Sequence, residues 1–146
     1  MKPFGKILML ALVIVLLAAC GPTATETPVF QGDNPYASQT GDADLLYGDI
    51  SIDSSAVFLT KSLPPQVMVS FAYFQPTACH QLRVEVGAPD ADNRISLKAY
   101  AVTEKDKPCA LMALATPLQA SLNLGSFPGG HYFVLLNDNQ IGEFDS

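Results

Sequence analysis

Basic residues, histidines and cysteines are few in this chain, and tryptophan is absent. Its 146 residues include eight Lys and Arg, two His, three Cys and no Trp. A nucleic-acid-binding surface needs clustered basic side chains that displace counterions, and here fourteen acidic residues outnumber the eight basic ones. The two histidines, His80 and His131, fall short of the three or four ligands of a metal site. We therefore predict no nucleic-acid partner, no bound metal and no cofactor.

The first 20 residues contain the longest apolar run of the chain. Lys2 and Lys6 are followed by thirteen uncharged residues, from Ile7 to Ala19. A basic start, a short apolar stretch and small residues before a cleavage site are typical of a secretory signal peptide. The run is shorter than the roughly 20 residues that a membrane-spanning helix needs. We therefore predict that residues 1–19 are a signal peptide and that the protein is exported.

The apolar run ends in Leu17-Ala18-Ala19-Cys20, which resembles the lipobox of bacterial lipoproteins. The resemblance covers only these first 20 residues. It implies cleavage before Cys20, attachment of a diacylglyceryl group with palmitate-like chains to the Cys20 sulfur, and a place on the extracytoplasmic face of a bacterial membrane. An ordinary secretory peptide with an incidental cysteine is the alternative. After cleavage, six basic residues would face fourteen acidic ones, a formal net charge of about −8.

Residues 20–45 differ in composition from the segments on either side. They are rich in Thr, Pro, Gly and Asp, and the large apolar residues before Leu45 are Val29, Phe30 and Tyr36. Such a segment buries too little apolar surface to offset the entropy lost on ordering. We therefore predict a lipidated cysteine with a flexible tether over 20–45 and one folded domain over 46–146. Docking of Phe30 and Tyr36 on that domain is the alternative.

The folded domain alternates apolar and polar residues with a period of two. In Leu82-Arg83-Val84-Glu85-Val86, for example, every second residue is apolar, which is typical of a strand with one buried face. Short strands separated by Pro, Gly and Asn turns predict an all-β, antiparallel β-sandwich of seven or eight strands. The predicted strands are 48–52, 57–60, 67–74, 82–86, 95–99, 118–124, 132–136 and 141–144. Residues 110–115 fit either a short strand or a helical turn.

The remaining cysteines, Cys79 and Cys109, form an even pair once Cys20 carries lipid. In an oxidising compartment such a pair is expected to be a disulfide. Cys79 precedes one predicted strand, and Cys109 follows the strand after it. The bridge would therefore tie two loops together at one end of the sandwich.

A series of motifs over residues 66–140 resembles a loose group of small bacterial lipoprotein domains with an immunoglobulin-like sandwich and no assigned activity. The motifs are Pro76-x-x-Cys79, Lys107-Pro108-Cys109, a Leu-x-Leu-Gly strand and Gly130-x-Tyr132-x-Val134. The resemblance implies an immunoglobulin-like fold but no function. Tyr132 is predicted to form the tyrosine corner of such sandwiches, with its hydroxyl bonded to upstream backbone. The absence of Trp excludes an antibody-type domain.

We identify no catalytic residues and do not expect an enzyme. The chain has neither a Gly-x-Ser-x-Gly elbow nor a phosphate-binding loop. We expect a non-catalytic binding or structural module, anchored to the membrane, with an envelope protein as its partner. Tyr100, Phe133 and Leu135, expected on outward strand faces, are its candidate contact residues. An immunoglobulin-like protease inhibitor is the alternative function, with loop 125–129 or the loop near Cys109 entering the protease.

Overall fold

The computed structural model describes residues 32–106, 108–109 and 116–146. A short 3₁₀ turn at Asp42–Asp44 is followed by eight strands. The strands are β1 (Leu46–Gly48), β2 (Ser51–Leu59), β3 (Val67–Phe74), β4 (Gln81–Val86), β5 (Arg94–Thr103), β6 (Leu118–Gly125), β7 (His131–Leu136) and β8 (Asn139–Asp145). No helix in these ranges is long and apolar enough to cross a membrane.

The strands form two sheets packed face to face. One sheet has the order β2-β3-β6, and the other contains β1, β4, β5, β7 and β8. Five of the six strand pairings among the described residues are antiparallel, and the pairing of β5 with β7 is parallel. The prediction of an all-β sandwich of seven or eight strands is confirmed. The sequence did not predict the parallel pair.

Strand β5 is the centre of the five-stranded sheet. Its residue Leu97 pairs with Val86 of β4 and also with Leu136 of β7, so β4 and β7 lie on opposite edges. Strand β1 pairs with the last residues of β5, on the same edge as β7. Between β7 and β1, the side chain of Asn137 continues the ladder: its Oδ1 accepts from Ala99 N–H at 2.8 Å, and its Nδ2 donates to Ala99 O at 2.9 Å. Asn137 thus fills the gap between β7 and β1, which lie one after the other along the same side of β5.

The core lies between the two sheets and consists of the inward-facing residues of the alternating strands. The period-two pattern places Val84, Ile95, Leu97 and Val134 on inner faces, where each is at most 2% exposed. Burial of apolar surface stabilises the fold by about 25 cal/mol per Å². The buried members of the core are Val67, Val69, Phe71, Tyr73, Leu82, Val84, Ile95, Leu97, Ala99, Ala120, Leu122, Leu124, Tyr132, Val134, Leu136 and Phe144. All of them lie between residues 67 and 144.

The predicted strand positions agree with the structure best where the apolar pattern is strongest. Strand β3 has the predicted bounds, and β4 to β8 differ from theirs by at most a few residues at their ends. The predicted segments 48–52 and 57–60 fall on the two ends of one nine-residue strand, β2, and β1 was not predicted beyond its last residue, Gly48. Most side chains of β2 are exposed. The alternation of apolar and polar residues is therefore weak in this segment, and it did not reveal the full length of the strand. Residues 110–115, left open between strand and helical turn, lie outside the described residues.

The described part of the predicted tether is docked on the sandwich. We call residues 33–45 the strap. Asp33 forms a β-bridge with Asn123 of β6. Tyr36 O accepts from Val84 N–H at 2.8 Å, and its side chain packs against the core. Asn34 Nδ2 donates to Val84 O at 2.8 Å. The folded unit therefore begins near residue 33 rather than at residue 46.

The physical reason for this correction is the free edge of β4. An edge strand presents unpaired backbone groups, and the strap satisfies the N–H and C=O of Val84. Composition alone cannot show that a polar segment supplies such partners. Tyr36 docks as the alternative interpretation proposed, whereas Phe30 lies outside the described residues.

Candidate functional site

The strap crosses the outer face of β4 and β5 before it becomes β1 on the far edge of β5. This arrangement covers a sheet face that alternation alone would leave in water. The strap, together with the outer faces of β1, β4 and β5, forms the most elaborate arrangement of polar and aromatic side chains in the described residues. We call this arrangement the strap site.

A buried ion pair fastens the strap to the sheet. Arg83 Nε donates to Asp42 Oδ2 at 2.7 Å, and its Nη2 donates to Asp42 Oδ1 at 3.0 Å. Arg83 is 5% exposed and Asp42 is 6% exposed. Arg83 also donates to Leu82 O, and Asp42 Oδ2 accepts from the N–H of Gln39. Planar, two-point pairing of this kind is among the stronger charge-assisted contacts.

The pair changes the protonation behaviour of both partners. The hydrogen bond from Arg83, followed by that from the Gln39 N–H, lowers the pKa of the Asp42 carboxyl. The hydrogen bond to Asp42 raises the pKa of Arg83. Both side chains are therefore charged at neutral pH. Strand alternation predicted the outward direction of Arg83, but it gave no sign that Asp42 would cover it.

A second hydrogen-bonded group lies beside the ion pair. Tyr100 Oη donates to Glu85 Oε1 at 2.8 Å, and Ser38 Oγ of the strap lies 2.9 Å from the same hydroxyl. Burial raises the pKa of Tyr100. The residue was expected on an exposed patch, yet it is only 8% exposed because the strap and Tyr47 cover it.

Tyr47 of β1 forms the exposed part of the strap site. Its ring centroid is 5.2 Å from that of Tyr100, and Tyr47 is 62% exposed. Lys98 Nζ lies 5.9 Å from the centroid of the Tyr100 ring. The neighbouring Leu46 is 47% exposed. An aromatic side chain is thus presented to solvent on a base held by hydrogen bonds.

A cavity of about 260 Å³ opens beside the strap. The strap forms one wall, and the ends of β4 and β5 form the others. Its floor includes the buried Arg83–Asp42 pair, and Val102, the register partner of Tyr47, reaches it from β5. The lining residues from the sheet and its loops are Cys79, Gln81, Arg83, Val102, Thr103 and Glu104. No local sequence pattern indicates this cavity, because its walls come together only in the fold.

The predicted disulfide between Cys79 and Cys109 is present, which confirms that pairing. It joins the β3–β4 loop to the β5–β6 loop at one end of the sandwich. Thr77 Oγ1 lies 3.1 Å from Cys109 Sγ and 2.8 Å from His80 Nδ1. His80 is therefore packed into this loop junction rather than free in solvent.

At the opposite end, Tyr132 lies where the tyrosine corner was predicted. Its hydroxyl donates to Pro128 O at 3.2 Å. In the same loop, Phe127 points inward, with its ring 5.3 Å from Tyr132 and 5.5 Å from Phe144. The large apolar side chain of loop 125–129 is thus packed inside. The loop near Cys109 includes residues 110–115, outside the described residues.

The remaining candidate residues lie on the outer face of β7. Phe133 and Leu135 are half-buried there, and His131 stands edge-on to the Phe133 ring at 4.9 Å. His131 Nδ1 is 2.8 Å from Asp145 Oδ1, and this hydrogen bond raises the pKa of the imidazole. No group of three or more His, Cys, Asp or Glu in the described ranges could hold a metal ion. Cys20 lies outside those ranges.

Comparisons of the chain with protein-family models, with curated proteins and with solved structures found no match. The function is therefore inferred from the sequence and from the chemistry of the strap site.

Replacing Arg83 with methionine, Arg83→Met, is expected to lower the melting temperature by several degrees. The substitution leaves the Asp42 carboxylate without its partner in a buried position, which is costly. Partial release of the strap lets Asp42 regain water and limits the loss. The control is Arg94→Met, because Arg94 pairs with Asp92 at 3.4 Å with both side chains more than half exposed, and such surface pairs contribute little.

The effect of Arg83→Met should also depend on pH. Because the folded-state pKa of Asp42 is lowered, the ion pair stabilises the fold above the ordinary carboxyl pKa near 3.8 and loses that effect as the pH falls through the folded value. The difference between the melting temperatures of the two proteins should therefore be smaller at pH 3 than at pH 7. Equal melting temperatures at pH 7 would show that the pair is not formed.

Proposed function

We propose that this protein is a non-catalytic binding module, held on the extracytoplasmic face of a bacterial membrane by lipid on Cys20, and that it binds an envelope protein through the strap site. The observation that carries the binding function is the exposed Tyr47 seated on the buried Tyr100. Aromatic residues with little conformational freedom are enriched at the centres of protein interfaces.

The chemistry of the strap site favours recognition over reaction. Arg83 is paired with Asp42, and Tyr100 with Glu85 and Ser38, so these polar groups already have partners within the domain. They hold the strap and the Tyr47 ring in one arrangement before any partner arrives. A surface ordered in advance loses less entropy on binding.

The proposed anchor is supported by the sequence alone. The basic start, the apolar run of thirteen residues and the order Leu17-Ala18-Ala19-Cys20 all match a lipoprotein signal. A diacylglyceryl group supplies two acyl chains, and two chains hold a protein stably where one does so only marginally. The formal charge of about −8 after cleavage means that attraction to anionic headgroups would not replace the lipid.

The test is crosslinking in the native envelope followed by a pull-down and mass spectrometry. The wild-type protein is compared with Tyr47→Ser and with the control Phe133→Ser, which removes a half-buried aromatic side chain from the outer face of β7, outside the strap site. We expect one partner protein in near-stoichiometric amount with the wild type and with Phe133→Ser. Tyr47→Ser should reduce its recovery roughly tenfold, as expected for loss of an interface aromatic.

Other outcomes would overturn parts of the proposal. A partner recovered equally with Tyr47→Ser would move the interface away from the strap site. A protease recovered as the partner would support the inhibitor function instead. Recovery of the protein alone would contradict a stable envelope partner.

A further inference from the structure

The hairpin that joins β2 to β3 is the most exposed apolar part of the described residues. Leu63 at its tip is 96% exposed, Phe58 is 48% exposed and Leu59 is 40% exposed. Residues 58–66, which we call the finger, lie on the opposite sheet from the strap site and do not take part in it. Three exposed large apolar side chains on one hairpin make the finger a candidate contact surface.

The polar groups of the finger bond to one another. Thr60 N–H donates to Gln66 O at 2.9 Å, and Gln66 N–H donates to Thr60 Oγ1 at 3.0 Å. Thr60 Oγ1 and Ser62 Oγ are 2.6 Å apart, and Ser62 Oγ donates to Pro64 O at 2.9 Å. Pro64 and Pro65 have no backbone N–H. Moving this tip out of bulk water would therefore leave fewer unpaired polar groups than moving an ordinary loop.

The charge of the finger is opposite to that of the chain as a whole. Lys61 is its single charged residue, and no Asp or Glu occurs from Ser54 to Val84. Elsewhere the chain is strongly acidic. An exposed leucine next to one lysine fits the interface of a bilayer, where apolar side chains enter the headgroup region and lysine meets anionic lipid.

The N-terminal chain enters the domain beside the finger. Asp33 bridges Asn123 of β6, and Asn123 pairs with Met68 of β3, two residues after the finger ends. Asn123 Nδ2 also donates to Gln66 Oε1 at 2.5 Å. Eleven residues separate Cys20 from Gly32, a length that spans at most about 40 Å and has an r.m.s. span of roughly 20 Å if flexible. A lipid on Cys20 would thus keep the finger close to the membrane.

We propose that the tip of the finger rests in the headgroup region of the bilayer, as a second membrane contact next to the lipid. This inference rests on the proposed anchor. The loop between β4 and β5 lies at the same end in the other sheet and carries Asp90 and Asp92. Repulsion of these carboxylates by anionic lipid favours a tilt that lowers the finger side toward the bilayer.

The experiment places an environment-sensitive fluorophore on the finger of the protein at a vesicle surface. All core residues lie between residues 67 and 144, so a chain of residues 20–146 retains the folded unit. It carries Cys20→Ser, an N-terminal hexahistidine tag and Leu63→Cys labelled with a nitrobenzoxadiazole dye. The vesicles contain phosphatidylethanolamine, phosphatidylglycerol, a nickel-chelating lipid and a doxyl-labelled quencher lipid. The control carries the dye at Gln140→Cys, an exposed position near the β7–β8 turn at the other end.

We expect a blue-shifted emission and quenching by the doxyl lipid for the dye at position 63, and neither change at position 140. Water-like emission at both positions would overturn the proposal. A shift at position 63 without vesicles would also overturn it, because it would show contact between two copies of the chain. The nickel lipid tethers the chain whether or not Cys20 is acylated in cells, so this experiment tests the finger alone. A failure of the proposed lipid anchor would be seen separately, as native protein in the water-soluble fraction.

Discussion

Replacing Cys20 with serine is expected to move the protein from the membrane fraction to the soluble extracytoplasmic fraction. The acyl chains contribute about 0.8 kcal/mol for each buried CH₂ group. Summed over two chains, this binding free energy is far larger than one short finger can supply. Removing the thiol removes the site of attachment, and the acidic chain has no other strong attraction to lipid. The measurement is cell fractionation with immunoblotting, together with the intact mass of the membrane-bound protein, which should include the diacylglyceryl group.

The matched control for Cys20→Ser is the double variant Cys79→Ser/Cys109→Ser, which should stay with the membrane because it keeps Cys20. The released protein should retain the wild-type melting curve, since the core lies entirely after residue 66. Continued sedimentation of Cys20→Ser with membranes, resistant to high salt, would contradict the anchor. An unmodified mass for the wild type would do the same.

Loss of the Cys79–Cys109 disulfide is expected to lower the free energy of unfolding by roughly 3–4 kcal/mol in the chain-entropy model. The cysteines are 30 residues apart in sequence, and the bridge restricts this loop in the unfolded chain. For a domain of about 100 residues the melting temperature should fall by more than about 10 °C. The measurement is urea unfolding of the wild type with and without a thiol reductant, followed by circular dichroism.

Two comparisons separate the disulfide from other effects of reductant. The double variant Cys79→Ser/Cys109→Ser should unfold like the reduced wild type and should not respond to reductant. Cys20→Ser should unfold like the oxidised wild type. If the reduced protein, with two free thiols counted after unfolding, unfolds at the same urea concentration as the oxidised one, the predicted contribution is wrong.

The sequence predicts those parts of the fold that depend on local alternation. The pattern of β3, apolar on nearly every residue, marks a strand in the middle of a sheet, and the structure places it between β2 and β6. The turn after β7 can also be inferred from the sequence, because Asn and Asp tolerate positive φ better than most residues. In the structure, Asn137 and Asp138 adopt φ values of 47° and 66°. The disulfide followed from the number of cysteines and the expected compartment.

Features that depend on contacts between distant segments were not predictable. Strand alternation gave the outward direction of Arg83 and Tyr100, but whether an outward face meets water depends on what crosses it. The strap residues that cover them, Ser38 and Asp42, lie in a polar stretch with the composition of a tether. The parallel pairing of β5 with β7 likewise depends on which edges meet in space. The strap site was therefore missed although the fold class was correct.

The strap is the part of the described domain that tension on the N-terminus would reach first. Tension on the N-terminus reaches the Asp33–Asn123 bridge first, then the bonds of Asn34 and Tyr36 with Val84, and only afterwards the Asp42–Arg83 pair. Because these bonds lie one after another along the chain, they are loaded singly, as in a zipper opened from one end. The core residues lie beyond the last of them. Tension on the membrane anchor would thus disrupt the strap, and with it the proposed partner-binding surface, before the sandwich unfolds.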